Sequence, residues 1–336
     1  MRIVVDAHLD LAYNVSRGRD VLRPAAEQPV DGTDVATVGL PDLKRGGVAL
    51  VCTTIFCMPS YDGRSGYRTG EEARAVAQEQ LSWYQGCERS GHLRFVRSAN
   101  ELPIRPTADD EPLPAILLME GPDALRTPDD LPGWFEAGLR IVGLAWRQTR
   151  FAGGTDTPGP LTPVGAELIR HLDQFGVIHD ASHLADESFW QFIDRASGPV
   201  MASHSNCRAI VPTDRQLSDD MIRAIVQRDG VIGINFYDKF LMPPDEYGKR
   251  RASLKDVMRH INHICYLAGE TKHVAIGTDM DGGLGRNEIP EEITTSADLP
   301  RLADELRREG FDEPAIRGIM GENWLRFFRR ALPASA

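Results

Sequence analysis

Short apolar runs recur along this 336-residue chain, separated by longer segments of helical periodicity. The runs are Ile3–Asp6, Val48–Phe56, Ala115–Met119, Leu139–Ala145, Val177–Asp180, Val200–Ser203, Val231–Phe236 and Val274–Gly277. Several are almost continuously apolar, as parallel strands covered on both faces should be. Between them, Glu71–Ser90, Pro163–Phe175, Ser218–Arg228 and Leu254–Ala268 read as amphipathic helices; in the last, Leu254, Val257, Met258, Ile261, Ile264 and Cys265 fall at helical spacing. Eight strand–helix alternations predict an α/β fold, a (β/α)8 TIM barrel. A doubly wound open sheet is the rival, and no Gly-x-Gly-x-x-Gly after the first run supports its dinucleotide-binding form. No domain boundary is visible, so residues 1–336 read as a single barrel domain. Segments 14–40 and 59–70 are polar, Gly/Pro-rich excursions near one mouth, and 313–332 is a C-terminal helix expected to pack outside.

Composition narrows the function. The formal net charge is -11 with no basic block, which argues against nucleic acid as a partner. No apolar run approaches the ~18 residues that suggest a membrane span. The N-terminus lacks a charged region followed by an apolar one, so the expected location is the cytoplasm. The cysteine count is five, odd, and no pair forms Cys-x-x-Cys. That disfavours a disulfide framework and predicts buried thiols in a reducing compartment.

The chemistry lies where the runs end. The first runs into Asp6, His8 and Asp10, which share one face if the strand stays extended. Two acids and an imidazole on one face are costly to bury unpaired, and a cation would offset that cost; a strand running out into a polar turn is the bland reading. The third run ends at Glu120, the fifth at His179, Asp180 and His183, the sixth at His204 and the eighth at Asp279 and Asp281. Catalytic groups of a barrel sit at the C-terminal strand ends. Several carboxylates gathered there resist ionising together. Two divalent cations sharing one carboxylate would resolve this, and three imidazoles favour zinc over magnesium or calcium. His179 and Asp180 lie in a strand and are placed to orient ligands from behind. His92, His171, His260, His263 and His273 read as ordinary helix, loop or strand-start residues.

With these residues in order, the chain resembles the membrane dipeptidase (renal dipeptidase) family of the amidohydrolase superfamily. The likeness runs through DAHLD at 6–10, MEG at 119–121, GPLTPVGAELIRHLDQFGVIHDASH at 159–183, SHSNCRAIVPTDRQLSDD at 203–220, GVIGINFY at 230–237, HVAIGTDMDG at 273–282 and GENWLRFF at 321–328. The resemblance implies a metal-dependent hydrolase barrel with two Zn2+ bridged by Glu120 and a water or hydroxide. His8 and Asp10 would bind one zinc, and His183 and His204 the other. Asp279 would be the acid/base carboxylate, supported by Asp6, Asp180 and Asp281 around the site. Arg215 would hold the substrate's terminal carboxylate, and Tyr237 would contact substrate. The implied activity is hydrolysis of small dipeptides, including those with a D-residue at the C-terminal side, and the implied assembly is a homodimer. One position departs from the family. Trp146 stands where its members carry a histidine that binds substrate and is thought to polarise the scissile carbonyl. Indole donates a hydrogen bond but cannot titrate. Either Arg147 or Arg150 takes over the task, or the substrate has changed to another amide such as an N-acyl amino acid. A noncatalytic ligand-binding barrel is the remaining alternative.

Overall fold

The computed structural model describes residues 3–30 and 34–335. Residues 31–33 of the expected 14–40 excursion lie outside the described residues. Among the described residues there are nine parallel strands: β1 (Val4–Leu9), β2 (Val48–Phe56), β3 (Leu93–Phe95), β4 (Leu113–Glu120), β5 (Leu139–Gly143), β6 (Ile178–Asp180), β7 (Val200–Met201), β8 (Ile232–Ile234) and β9 (Val274–Ile276). Eight of them run in the order β7-β6-β5-β4-β2-β1-β9-β8. A parallel bridge between Ala202 and Ile232 joins the two ends of that order and closes the barrel. Across this seam Ala202 N donates to Val231 O at 3.0 Å and Gly233 N to Ala202 O at 2.8 Å. Closure excludes the open-sheet rival. The ninth strand, β3, pairs with the start of β4 outside the ring and had no counterpart among the expected runs.

The helices form where the apolar stripe and the caps agree. Thr69 and Glu72 make a capping box for helix Gly70–Arg89, and Ser253 with Asp256 does the same for Leu254–Ala268. Thr162 and Ser218 cap Pro163–Phe175 and Asp219–Gln227 through their hydroxyls. Each then lays its apolar face on the outside of the barrel.

Two apolar layers result. Val5, Ala7, Leu50, Cys52, Ile116, Leu118, Ile141, Ile178, Met201 and Ala275 form an inner cluster, contributed by alternate positions of most strands. Trp324, Phe327 and Phe328 join this cluster rather than the outer layer. The 313–332 stretch is therefore not one outer helix. It is helical over Glu313–Arg317, breaks at Gly321 (φ 179°) and resumes over Asn323–Ala331. A Cβ on Gly321 would lie 2.9 Å from Ile3 O, so a glycine lets the chain cross the start of β1 closely. Trp324 Nε1 then donates to Ile276 O at 2.8 Å, and the aromatic trio closes the N-terminal mouth.

The five cysteines are free; four are buried and Cys265 is half-buried. Among the described residues no helix is long and apolar enough to cross a membrane.

Candidate metal centre

At the opposite, C-terminal mouth the strand ends converge. The pairing of β1 with β2 runs from Asp6↔Val51 to Leu9↔Thr53, three residues against two. This bulge re-aims the side chains that follow it. Asp6 therefore does not share a face with His8. Its carboxylate accepts from Thr278 N (2.9 Å), Thr278 Oγ1 (2.6 Å) and His8 N (3.2 Å), tying β1 to the loop after β9. His8 is buried and faces the centre, beside Asp10, which accepts from the Thr54 hydroxyl of β2.

Glu120, the last residue of β4, lies between the imidazoles. Its Oε1 is 3.2 Å from His183 Nε2 and 3.4 Å from His204 Nε2, while Oε2 is 3.7 Å from His8 Nε2. His183 Nε2 and His204 Nε2 are 3.0 Å apart, and Asp10 Oδ1 is 3.9 Å from His8 Nε2. Tetrahedral zinc with bonds of about 2.0–2.1 Å places its ligand atoms about 3.3–3.4 Å apart. The His183–His204–Glu120 spacing fits that edge closely, and the His8–Asp10–Glu120 spacing is slightly wider. His8 Nε2 and Glu120 Oε1 are buried with no hydrogen-bond partner. Two orphaned polar atoms buried at the same cluster of ligand-type side chains suit a cation. Sets able to hold an ion include His8–Glu120–His204 and His8–Asp10–Asp279.

The far side of each imidazole shows why Nε2 points inward. Ser203 Oγ donates to Asp180 Oδ2 at 2.5 Å. Its single proton is thus spent, and it can only accept from His8 Nδ1 (3.0 Å) and His204 Nδ1 (2.7 Å). In their neutral form both rings then carry hydrogen on Nδ1 and a lone pair on Nε2. Asp180 Oδ1 is held in turn by Ser182 N (3.0 Å) and Ser203 N (2.8 Å). His183, at φ 67°, contacts Thr155 Oγ1 through Nδ1 at 2.9 Å.

Charge within the protein groups alone is unbalanced. Burial opposes a proton on His8, but the Glu120, Asp10 and Asp279 carboxylates outweigh it and hold its pKa up at about 10. Burial lowers His183 to about 4, helped by Arg215, and pushes His204 well down. Burial raises Asp279 to about 8; His8 opposes that shift while Asp10 and Glu120 reinforce it. Divalent cations would relieve this competition.

Asp279, at φ 58°, accepts from Asn235 Nδ2 at 2.9 Å on Oδ2. A Cβ on Gly282 would fall 2.0 Å from its Oδ1, so that oxygen occupies room only glycine leaves. Arg215 is buried, donating to His204 O (2.6 Å) and Ser205 Oγ (3.3 Å), with Nε unpartnered. Trp146, Arg147 and Tyr237 line the same pocket of about 370 Å³. Arg150 is turned elsewhere, donating to Arg126 O at 3.2 Å and to Leu125 O. Asp281 grips Thr37 and Val38, fastening the 14–40 excursion instead of any ligand side chain. His179 points into the helical layer, 2.7 Å from Asp173 Oδ1. Ser203, Asn235 and Thr155 had gone unremarked. Asn235 is the lone polar residue near the end of the seventh apolar run, which was its available signal; Ser203 and Thr155 carry none of their own.

A (β/α)8 barrel with imidazoles and carboxylates convergent at its C-terminal mouth defines a metal-dependent hydrolase. The chain belongs to the membrane dipeptidase family (peptidase family M19), which it matches over residues 1–335. It is similar to an uncharacterized dipeptidase of Schizosaccharomyces pombe, 29% identical over 97% of this chain and 80% of that one. Among solved structures, dipeptidase AC, a metallopeptidase of family M19, is 29% identical with a TM-score of 0.83, covering 98% of both chains. A Rhodobacter sphaeroides metallopeptidase, liganded with a phosphinate mimic of the dipeptide L-Ala-D-Ala, is 28% identical with a TM-score of 0.84, covering 98% of this chain and 100% of that one. The protein is a metallopeptidase of the dipeptidase type.

Proposed function

We propose that the chain hydrolyses small dipeptides, L–D pairs among them, with two zinc ions. The observation that carries this is the split of Glu120, whose Oε1 faces His183 and His204 while Oε2 faces His8. His8 and Asp10 would hold one ion, His183 and His204 the other, and Glu120 both. Bound there, the cations would lower the pKa of a water towards neutrality and polarise the scissile carbonyl. Arg215 presents a buried guanidinium to the substrate's terminal carboxylate, for which its planar fork is suited. Asp279 takes the proton from the attacking water at Oδ1, since Asn235 occupies Oδ2, and delivers it to the leaving amine. Asp6 and Asp180 hold the ligand residues in place; Asp281 acts only through the excursion.

A second reading, a dizinc amidohydrolase for N-acyl amino acids or another small amide, is favoured by Trp146. Zinc-loaded protein is tested on L–L and L–D dipeptides beside their N-acetylated forms, with released amino acids separated by chromatography. Release from free dipeptides supports the first reading, and cleavage of blocked forms alone supports the second. In Asp279→Asn, turnover falls steeply with metal content intact; undiminished turnover refutes the role of Asp279. The expected cytoplasmic homodimer of single-domain chains rests on composition and family likeness, and sedimentation tests its size.

A further inference from the structure

One half of the pocket wall is aromatic. Tyr13 packs edge-on to Phe56 at 5.1 Å between ring centroids, and Phe56 lies 5.3 Å from Trp146. Trp146 also lies 5.6 Å from Tyr61 and 6.2 Å from the His183 ring. The four rings form one continuous surface that reaches the metal-binding histidines. Phe56 ends β2 and Trp146 follows β5, so the surface spans the β1–β5 half of the ring. Arg215 sits over Phe240 at 5.2 Å, on the loops after β7 and β8, in the other half.

This geometry orients a substrate. With its terminal carboxylate at Arg215 and its amide at the metal ligands between the two halves, a dipeptide sends its N-terminal residue towards the four rings. The aromatic surface is not a cage for a cation. Arg147, paired with Asp156 at 3.4 Å, already lies 4.5 Å from the Tyr61 ring centroid and Arg64 5.6 Å from it, so the Tyr61 ring is already occupied by cations of the chain itself. Apolar contact with flat rings is what the surface offers. We propose that Trp146 and its neighbours form a specificity subsite that selects dipeptides with a large, uncharged apolar residue at the N-terminal position. This inference rests on the dipeptidase reading.

The test is kcat/KM of the metal-loaded enzyme on X-Ala dipeptides, with X as Ala, Leu, Phe, Lys or Asp, and on the reversed Ala-X series. Phe-Ala and Leu-Ala should exceed Ala-Ala by about tenfold or more, the discrimination an apolar pocket supplies for a few carbon atoms. Lys-Ala and Asp-Ala should both fall below Phe-Ala and Leu-Ala, and the reversed series should show a weaker apolar preference. In Trp146→Ala, the Phe-Ala to Ala-Ala ratio should fall towards one. Equal or better turnover of Ala-Ala overturns the inference but leaves the dipeptidase reading standing. Preference for Asp-Ala overturns it in favour of the arginines at the rim, and preference for Lys-Ala overturns it outright. If no dipeptide is hydrolysed, the dipeptidase reading fails and this subsite with it. The wild-type panel decides the question even if the variant does not fold.

Discussion

Ser203→Ala is the sharpest probe of the metal centre, because one hydroxyl serves both imidazoles that flank it. Its removal strips His8 Nδ1 and His204 Nδ1 of their acceptor together and releases Asp180 Oδ2. A buried donor left unsatisfied costs about 1–3 kcal/mol, so two orphaned N–H groups amount to about 2–6 kcal/mol if both rings keep their tautomer. Either ring can escape that cost by moving its proton to Nε2, but the proton then occupies the atom that must bind metal. The penalty thus passes from stability to affinity, where loss of such a supporting contact typically costs about 10–100-fold. In the proposed two-ion site His8 and His204 serve different ions, so both binding steps should weaken. Chelator competition resolves the two steps, and Co(II) absorption reports the ligand field at each. Ser203→Ala binding both ions as tightly as the parent, with unchanged Co(II) spectra, would refute the tautomer argument. A shift confined to one ion would refute the shared hub.

Three further outcomes are expected. Gly282→Ala places a Cβ 2.0 Å from Asp279 Oδ1 and must turn that carboxylate by more than an ångström; kcat should fall about 100-fold while metal content stays level, as steady-state kinetics and elemental analysis would show. His260 is buried, takes the Cys207 N–H at Nδ1 (3.1 Å), faces Leu241 O through Nε2 (3.2 Å), and has its pKa lowered by burial to about 4. The unfolded chain therefore binds the extra proton first, and stability falls as pH drops from about 6.5 towards 4, by about 3 kcal/mol in all; His260→Gln should flatten that part of the denaturation-versus-pH curve, and an unchanged slope counts against the assignment. Trp324→Ala opens the sealed end of the barrel and should cost about 3–5 kcal/mol in chemical denaturation, with little change in KM.

The eight ring strands and the imidazoles and carboxylates that gather at the candidate centre were legible because each rests on a local signal. An apolar run marks a buried strand, and a histidine or acid at its end marks a place where barrels do chemistry. What escaped depends on how distant segments meet. Ser203 and His8 are brought together only when β7 and β1 close around the ring, and a serine beside a histidine carries no signal of its own. Asp6 and His8 share a face in an extended strand, but the β1–β2 bulge sends one to Thr278 and the other to the centre. β3 is three residues long, too short for alternation to stand out. Trp324, Phe327 and Phe328 make an apolar stripe that would suit the outside of a barrel as well as its end; only the turn at Gly321 decides between them.

That aromatic stopper has a consequence for traffic. With Trp324, Phe327 and Phe328 filling the N-terminal mouth, the reaction chamber is a blind-ended well. Substrate, water and both product amino acids must use a single doorway. In the proposed binding mode one product is held by Arg215 and the other rests on the aromatic wall, so the order of departure governs how soon the next molecule can enter. Under ordered release, the product that leaves last is the one that competes with substrate for the empty well.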